Sequence, residues 1–358
     1  MQDYTAYRRL PRWSARFLIL ALAVLVLIPA LPHRTLNIPG ERKGWGDVLP
    51  GYTDLTLYRD IVFDVAQGQD YYAAAAKEQR AHKYPTAPAM VFREPALAWL
   101  LVLLHFSALQ YAALFAIYAA VLVGLYREVA GRPIAIRIAT VAAAASGLSI
   151  AGVPNALYFH EVWAALLIAA SLVFYRTDRW WPSLLLGLFA CLVRELAAPY
   201  LLAMLAFALL ERRWREAAAW TGAIAIFAGL FGLHLARAAA LYRPGDLVTH
   251  SWLAWAGWNF VVVTVKWNFV LKLLPSPVVA FAACASVLGF AGSPDGRARR
   301  AALVVAGYLA AFTVVGRPDN YYWGILFAPL VPLGWLYAPA AFRDIFQRAG
   351  LTFARARG

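Results

Sequence analysis

GWGDVLPGYTDLTLYRDIVFDVAQGQDYYAAAAKEQRAHKYPTAPAMVFREP, residues 44–95, is the one long polar segment of an otherwise apolar chain. It holds Asp47, Asp54, Asp60, Asp64, Asp70, Glu78 and Glu94, and apolar runs separated by short turns follow it. A loop of this length in a compact protein is either functional or disordered. Its tyrosines, prolines and apolar residues at helical spacing argue for order. Residues 32–94 therefore read as a structured cap that carries the chemistry, with a membrane scaffold beneath it.

The scaffold follows from composition. The chain has 358 residues and is 62% hydrophobic, with a mean hydropathy of +0.60, against about 45–50% apolar residues in soluble domains. The net charge of +14 does not point to nucleic acid. The arginines sit in short clusters between apolar runs, which is the pattern of cytoplasmic loops beside anionic lipid. The two cysteines, Cys191 and Cys284, lie inside apolar spans. They give neither a disulfide framework nor metal spacing, and packing is their expected role.

Reading outward from the cap, residues 1–16 are a basic cytoplasmic arm and 17–31 an uncleaved first transmembrane helix. Residues 95–126 are too long for one upright helix at 1.5 Å per residue. They divide at 105–110 into a short helix (95–104) that dips into the outer leaflet and a second span (107–126). Further spans are expected at 134–152, 157–175, 180–193, 197–211, 217–238, 269–291, 301–315 and 324–341, the last kinked at Pro329 and Pro332. The Trp-rich segment 239–268 reads as an outer, interfacial helix, and 343–358 as a basic cytoplasmic tail. The fold class is an all-α polytopic membrane protein of about ten spans within 95–342 and the first helix. With ten spans, the clusters at 8–16, 127–137, 176–179, 212–215, 297–300 and 343–357 all fall inside. No internal repeat is visible.

The remaining polar groups gather on the outer side, where ionisable groups at membrane depth are functional candidates. Each has a plainer reading. Asp54 shares a helix face with Tyr58 and Ile61, but Asp is also a good N-cap. Asp60 and Asp64 stand i, i+4 and face either a cation or solvent. Arg93, next to Glu94 and Pro95, presents a fork suited to phosphate or anchors the interface. Arg194 and Glu195 interrupt an apolar stretch and are either functional or a structural ion pair. His160 and Glu161 are either functional or a helix-start pair. His250, Lys266, Arg317 and Asp319 complete the outer set. No Walker loop, GxSxG, HExxH or CxxC is present, which argues against nucleotide-driven transport and serine hydrolysis.

The helix D-x-x-x-Y (Asp54, Tyr58), the run G-x-D-Y-Y (Gly68, Asp70, Tyr71, Tyr72) and the turn F-R-E-P before the next span resemble the GT-C glycosyltransferases. These are membrane-embedded enzymes that use polyprenyl-phosphate sugars. The likeness is to the bacterial mannosyltransferase-like and cell-surface glycopolymer members, and it is strongest over 54–95. It implies a polyprenyl-phosphate sugar donor, a glycan or glycolipid acceptor and inversion at the anomeric carbon. It also implies a bacterial inner-membrane location with the active side facing outward. Asp54 would be the general base, with Asp60 as fallback. Arg93, Arg194, Lys266 and Arg317 would meet the donor phosphate. Tyr58, Asp70, Tyr71, Glu94, His160, Glu161, Glu195 and Asp319 would line the sugar and acceptor site. No cofactor, resident metal or nucleic-acid partner is expected, although the resemblance leaves a divalent ion open, and oligomeric state is not readable. Two other readings compete: a transporter or flippase of lipid-linked sugars, and a non-catalytic subunit of an envelope polysaccharide assembly complex.

Overall fold

A computed structural model describes residues 5–31, 52–153 and 155–351. Asp47, Pro154, the remainder of 32–51 and the last residues of the expected tail (352–358) lie outside the described residues. The architecture is helical, with no named strand among the described residues. In chain order the helices are α1 (Arg12–Leu27), α2 (Asp54–Ala66), α3 (Tyr71–Ala81), α4 (Ala96–Leu103) and α5 (Ser107–Glu128). Then come α6 (Ile134–Leu148), α7 (His160–Phe174), α8 (Trp181–Val193), α9 (Ala198–Leu210) and α10 (Trp214–Ala239). The last five are α11 (Gly257–Val265), α12 (Ser276–Gly292), α13 (Gly296–Val314), α14 (Val331–Gly334) and α15 (Ala338–Ala349).

Among the described residues, four stretches are long and apolar enough to cross a membrane: Arg12–Ala30, Ser107–Glu128, Ile134–Gly152 and Trp214–Ala239. Shorter apolar helices run over His160–Phe174, Trp181–Val193, Glu195–Leu210 and Ser276–Gly292. On α1, Phe17, Leu20, Val24 and Leu27 are exposed, an apolar stripe that lipid would cover. The first helix starts five residues earlier than the expected 17–31. Its arginines Arg12 and Arg16 sit in the first turns, because Pro11 at the N-cap sets the start.

The chain divides into two compact units. One takes Met1–Thr35, Leu125–Gly147 and Trp255–Gly358; the other takes Leu36–Gly124 and Leu148–Ala254.

In the first unit, α15 packs on α1 and α12. Its Asp344 is fully buried and accepts the Thr5 amide (2.7 Å) and hydroxyl (3.0 Å) and bonds from Arg8 and Arg343. Ala341, Ile345 and Ala349 cluster with Tyr7 and Ala15. The expected basic tail from 343 is, through Ala349, part of a packed helix. The expected tenth span (324–341) is also not one helix. A 3₁₀ segment (Pro318–Leu326), α14 and α15 share that stretch. Pro329, Pro332 and Pro339 each remove an amide donor and clash with a preceding carbonyl, so an unbroken helix cannot form. The broken chain packs closely: a Cβ on Gly324 would lie 1.9 Å from the Thr264 carbonyl oxygen, and one on Gly289 2.2 Å from that of Gly334. The interfacial helix expected within 239–268 is replaced by α11, whose Phe260, Val261, Val262, Thr264 and Val265 are buried against neighbouring helices.

The second unit holds the cap. Thr53 caps α2, its hydroxyl accepting the Thr56 amide at 3.3 Å. Asp54 is thus the first helical residue and not the cap. Leu57, Tyr58 and Ile61 form the buried stripe of α2, as their i, i+1, i+4 spacing requires. Asp70 caps α3 through the amides of Tyr72 (3.0 Å) and Ala73 (3.1 Å), and the alanine run that follows is the strongest helix former available. Tyr58, Ile61, Tyr71, Tyr72, Phe92 and Ala98 share one apolar core with Ala238 of α10. Arg80 grips both oxygens of Asp246 at 2.7 Å, and the Thr86 amide bonds the Leu247 carbonyl at 3.0 Å. Residues 241–249 are held against the cap in this way.

Candidate functional site

The second unit brings together most of the residues singled out in the sequence. The break between α8 and α9 supplies the first two. Arg194 adopts an extended conformation (φ −153°, ψ 113°) and ends α8. Pro199 in the first turn of α9 prevents the helices from merging, since its ring would clash with the Glu195 carbonyl. The Arg194 side chain is 1% exposed. Its Nε bonds Glu161 Oε1 at 2.7 Å and its Nη1 bonds Glu195 Oε1 at 2.5 Å. Glu161 comes from the first turn of α7 and is fully buried. The fork expected to face a donor phosphate is therefore already engaged by two carboxylates.

Arg93 occupies a more open place. It is half-buried, its Nε donates to the Tyr58 hydroxyl at 2.9 Å, and its guanidinium lies 5.6 Å from the Tyr58 ring centre. The Arg93 carbonyl accepts the Tyr71 hydroxyl at 2.6 Å. Tyr58 packs edge-on against the buried His160 ring, with centres 4.9 Å apart. Tyr58, Tyr71, Tyr158, His160, Leu97 and Leu101 line a narrow crevice. Asp54 is half-buried one turn before Tyr58 on the same helix. Asp60 points elsewhere: it accepts the Tyr52 hydroxyl at 2.9 Å and pairs with Arg59 at 3.0 Å. Asp64, buried, pairs with Lys77 at 2.8 Å.

Glu94 is 5% exposed. Burial and the adjacent Glu195 carboxylate push its carboxyl well above the usual carboxylate range, against the pull of Arg194. The folded chain thus holds this proton more tightly than the unfolded chain. The stabilisation is complete below the ordinary carboxylate range and is lost as pH rises towards the folded value. Glu94→Gln is already neutral. Its melting temperature in detergent should fall less than that of the wild type between pH 5 and pH 8. Parallel pH curves for the two proteins would show that Glu94 is ionised throughout.

Lys266, Arg317 and Asp319 belong to the first unit, where Arg317 pairs with Asp319 at 3.0 Å. Asp70 is exposed, and its carboxylate serves the α3 cap. One group that sequence reasoning passed over is His234 in α10. It is 4% exposed and bridges the Tyr72 hydroxyl (3.2 Å) and the Phe92 carbonyl (3.2 Å). Arg237, one turn on, lies 5.7 Å from the Tyr72 ring centre. The available signal was a histidine within an apolar span, which is a functional candidate by the membrane-depth argument.

No family model, curated protein or solved structure matches the chain.

Proposed function

We propose that the protein is an integral-membrane glycosyltransferase that moves a sugar from a polyprenyl-phosphate donor to a cell-envelope acceptor, with inversion. The observation that carries this reading is the 2.9 Å bond from Arg93 to Tyr58. It joins the D-x-x-x-Y helix to the F-R-E-P turn, the two motifs on which the GT-C resemblance rests, beside an aromatic cleft. In this reading Asp54 takes the proton of the acceptor hydroxyl as its oxygen attacks the anomeric carbon. The bond from that carbon to the phosphate oxygen breaks, and the phosphate leaves with the electron pair. Arg93 meets the charge that develops there. Tyr158, half-buried, offers an aromatic face to the sugar, and the buried Tyr58, Tyr71, Leu97 and Leu101 form the floor of the crevice. Arg194 acts from behind, fixing Glu161 and Glu195. Incubation with a polyprenyl-phosphate sugar and a glycolipid acceptor tests the reading through transfer of label. Movement of the lipid without transfer would favour a flippase.

The membrane arrangement is part of the proposal. Helices α8 and α9 have 13 residues each and rise about 20 Å, short of a hydrocarbon core of about 30 Å. Their junction at Arg194 then lies below the outer surface, where buried backbone is tolerated. Both termini and the arginine clusters face the cytoplasm, and the cap faces the periplasm of a bacterial inner membrane. Cysteines placed at the exposed Ala73 and Arg243 should react with an impermeant thiol reagent from outside. Those placed at the exposed Ala130, Trp214 and Arg299 should react only after permeabilisation. The native Cys191 and Cys284 are buried, so background is low. Reversed labelling on the two sides of any span would remove that span.

A further inference from the structure

Away from Arg93 and Arg194, the cap holds a second cluster of donor atoms. Glu78 lies in the last turns of α3 and His82 is its C-cap; a spacing of four puts both on one helix face. Asp60 comes from α2. One donor atom from each of the three lies within 4.8 Å of the other two. His82 Nε2 is 3.4 Å from Glu78 Oε2.

Three features separate this cluster from a solvated patch of charge. Glu78 is 9% exposed, and a carboxylate so buried requires compensating positive charge. His82 Nδ1 is buried without a hydrogen-bond partner among the described residues, so the fold does not fix the imidazole as a bridge between two polar groups. Tyr52 also supports two of the three ligands at once. Its ring stacks on His82 with centres 3.7 Å apart and planes at 11°, and its hydroxyl donates to Asp60 Oδ2 at 2.9 Å. A hydroxyl that hydrogen-bonds and orients a ligating carboxylate is a common outer partner of metal ligands.

We propose that Asp60, Glu78 and His82 bind a divalent transition metal of the Zn²⁺ type, which ties α2 to α3. Two carboxylate oxygens and one imidazole nitrogen suit Zn²⁺ or Mn²⁺, whereas Ca²⁺ takes oxygen ligands. Bonds of about 2.0–2.2 Å place neighbouring ligand atoms about 3.3–3.6 Å apart. The His82–Glu78 separation already meets this, and the widest separation needs to close by about 1 Å, within reach of side-chain rotation. The rival counter-charges are Arg59, exposed and at 3.0 Å from Asp60 Oδ1, and Lys77, at 3.1 Å from Glu78 Oε1. The Lys77 side chain is 56% exposed and also bonds Asp64 at 2.8 Å, so releasing Glu78 to a metal would not strand it. The site stands whether or not the chain transfers sugar.

The test uses the full chain in detergent, stripped with a chelator and titrated with Co²⁺, whose visible absorption reports its coordination. The wild type should bind one Co²⁺ per chain, displaced by Zn²⁺. His82→Gln should weaken this at least tenfold, and Asp60→Asn should do likewise. His82→Cys should restore binding and add a thiolate-to-cobalt band in the near ultraviolet, which a purely structural role for His82 would not produce. A wild type that binds no Co²⁺, or His82→Gln binding it as tightly as the wild type, overturns the proposal.

Discussion

Asp54→Asn should abolish sugar transfer while leaving the melting temperature and donor binding nearly unchanged. The substitution keeps size and removes the ability to accept a proton. A general base contributes about 10²–10⁴-fold, equivalent to about 3–5 kcal/mol of barrier. The fold should survive, because Thr53 caps α2 and Asp54 is only half-buried at the first helical position. Asp60→Asn should cost transfer far less. That carboxylate is held by Tyr52 and Arg59 and groups with Glu78 and His82, on a different side of α2 from Tyr58. Rates are best compared at saturating acceptor, so that a loss reports the chemical step. If Asp60→Asn were inactive and Asp54→Asn active, the roles would be exchanged. Full activity in both would move the chemistry out of α2.

Arg194→Ala should be the most destabilising single substitution in the second unit. It removes the partner of Glu161, which is fully buried, and of Glu195. Breaking a buried pair from one side costs about 3–5 kcal/mol, because the other charge is stranded in a low dielectric. Against the effect of burial, Arg194 holds the Glu195 carboxyl below the usual carboxylate range; without it that carboxyl can take up a proton, so the defect should shrink as pH is lowered from 8 to 5. Arg194→Lys keeps the charge but cannot bond Glu161 and Glu195 through two separate nitrogens of one rigid plane. It should fall between Ala and wild type. Thermal unfolding in detergent across pH reads all three proteins. An Arg194→Ala melting curve superimposable on that of the wild type at pH 8 would mean that Glu161 and Glu195 are satisfied without Arg194.

Residues 54–95 determine much by themselves. The spacing of Leu57, Tyr58 and Ile61 dictates which face of α2 is buried. The apolar runs dictate that the chain is helical and that several helices are long enough to cross a membrane. The break at 105–110 is legible for the same reason: α4 and α5 stop and start where apolar periodicity meets His105 and Ser107. Composition also shows that Arg194 and Glu195 interrupt an apolar stretch. What composition cannot show is their partner, because Glu161 lies 33 residues away and only the packing of α7 on α8 brings it near.

Capping, proline breaks and long-range contacts decided the remainder. Asp54 and Asp70 look alike in sequence, yet only Asp70 caps a helix, because Thr53 pre-empts that role for α2. The stretch 324–341 is apolar enough to read as a span, but its prolines break it and packing buries the fragments. The segment 239–268 reads as an interfacial helix, yet α11 within it buries Phe260, Val261, Val262, Thr264 and Val265. Local pattern fixes which residues need burial, since transfer of apolar surface from water depends only on the side chain. Which neighbour buries them, and which charge answers Arg194, depends on tertiary packing that no single segment encodes.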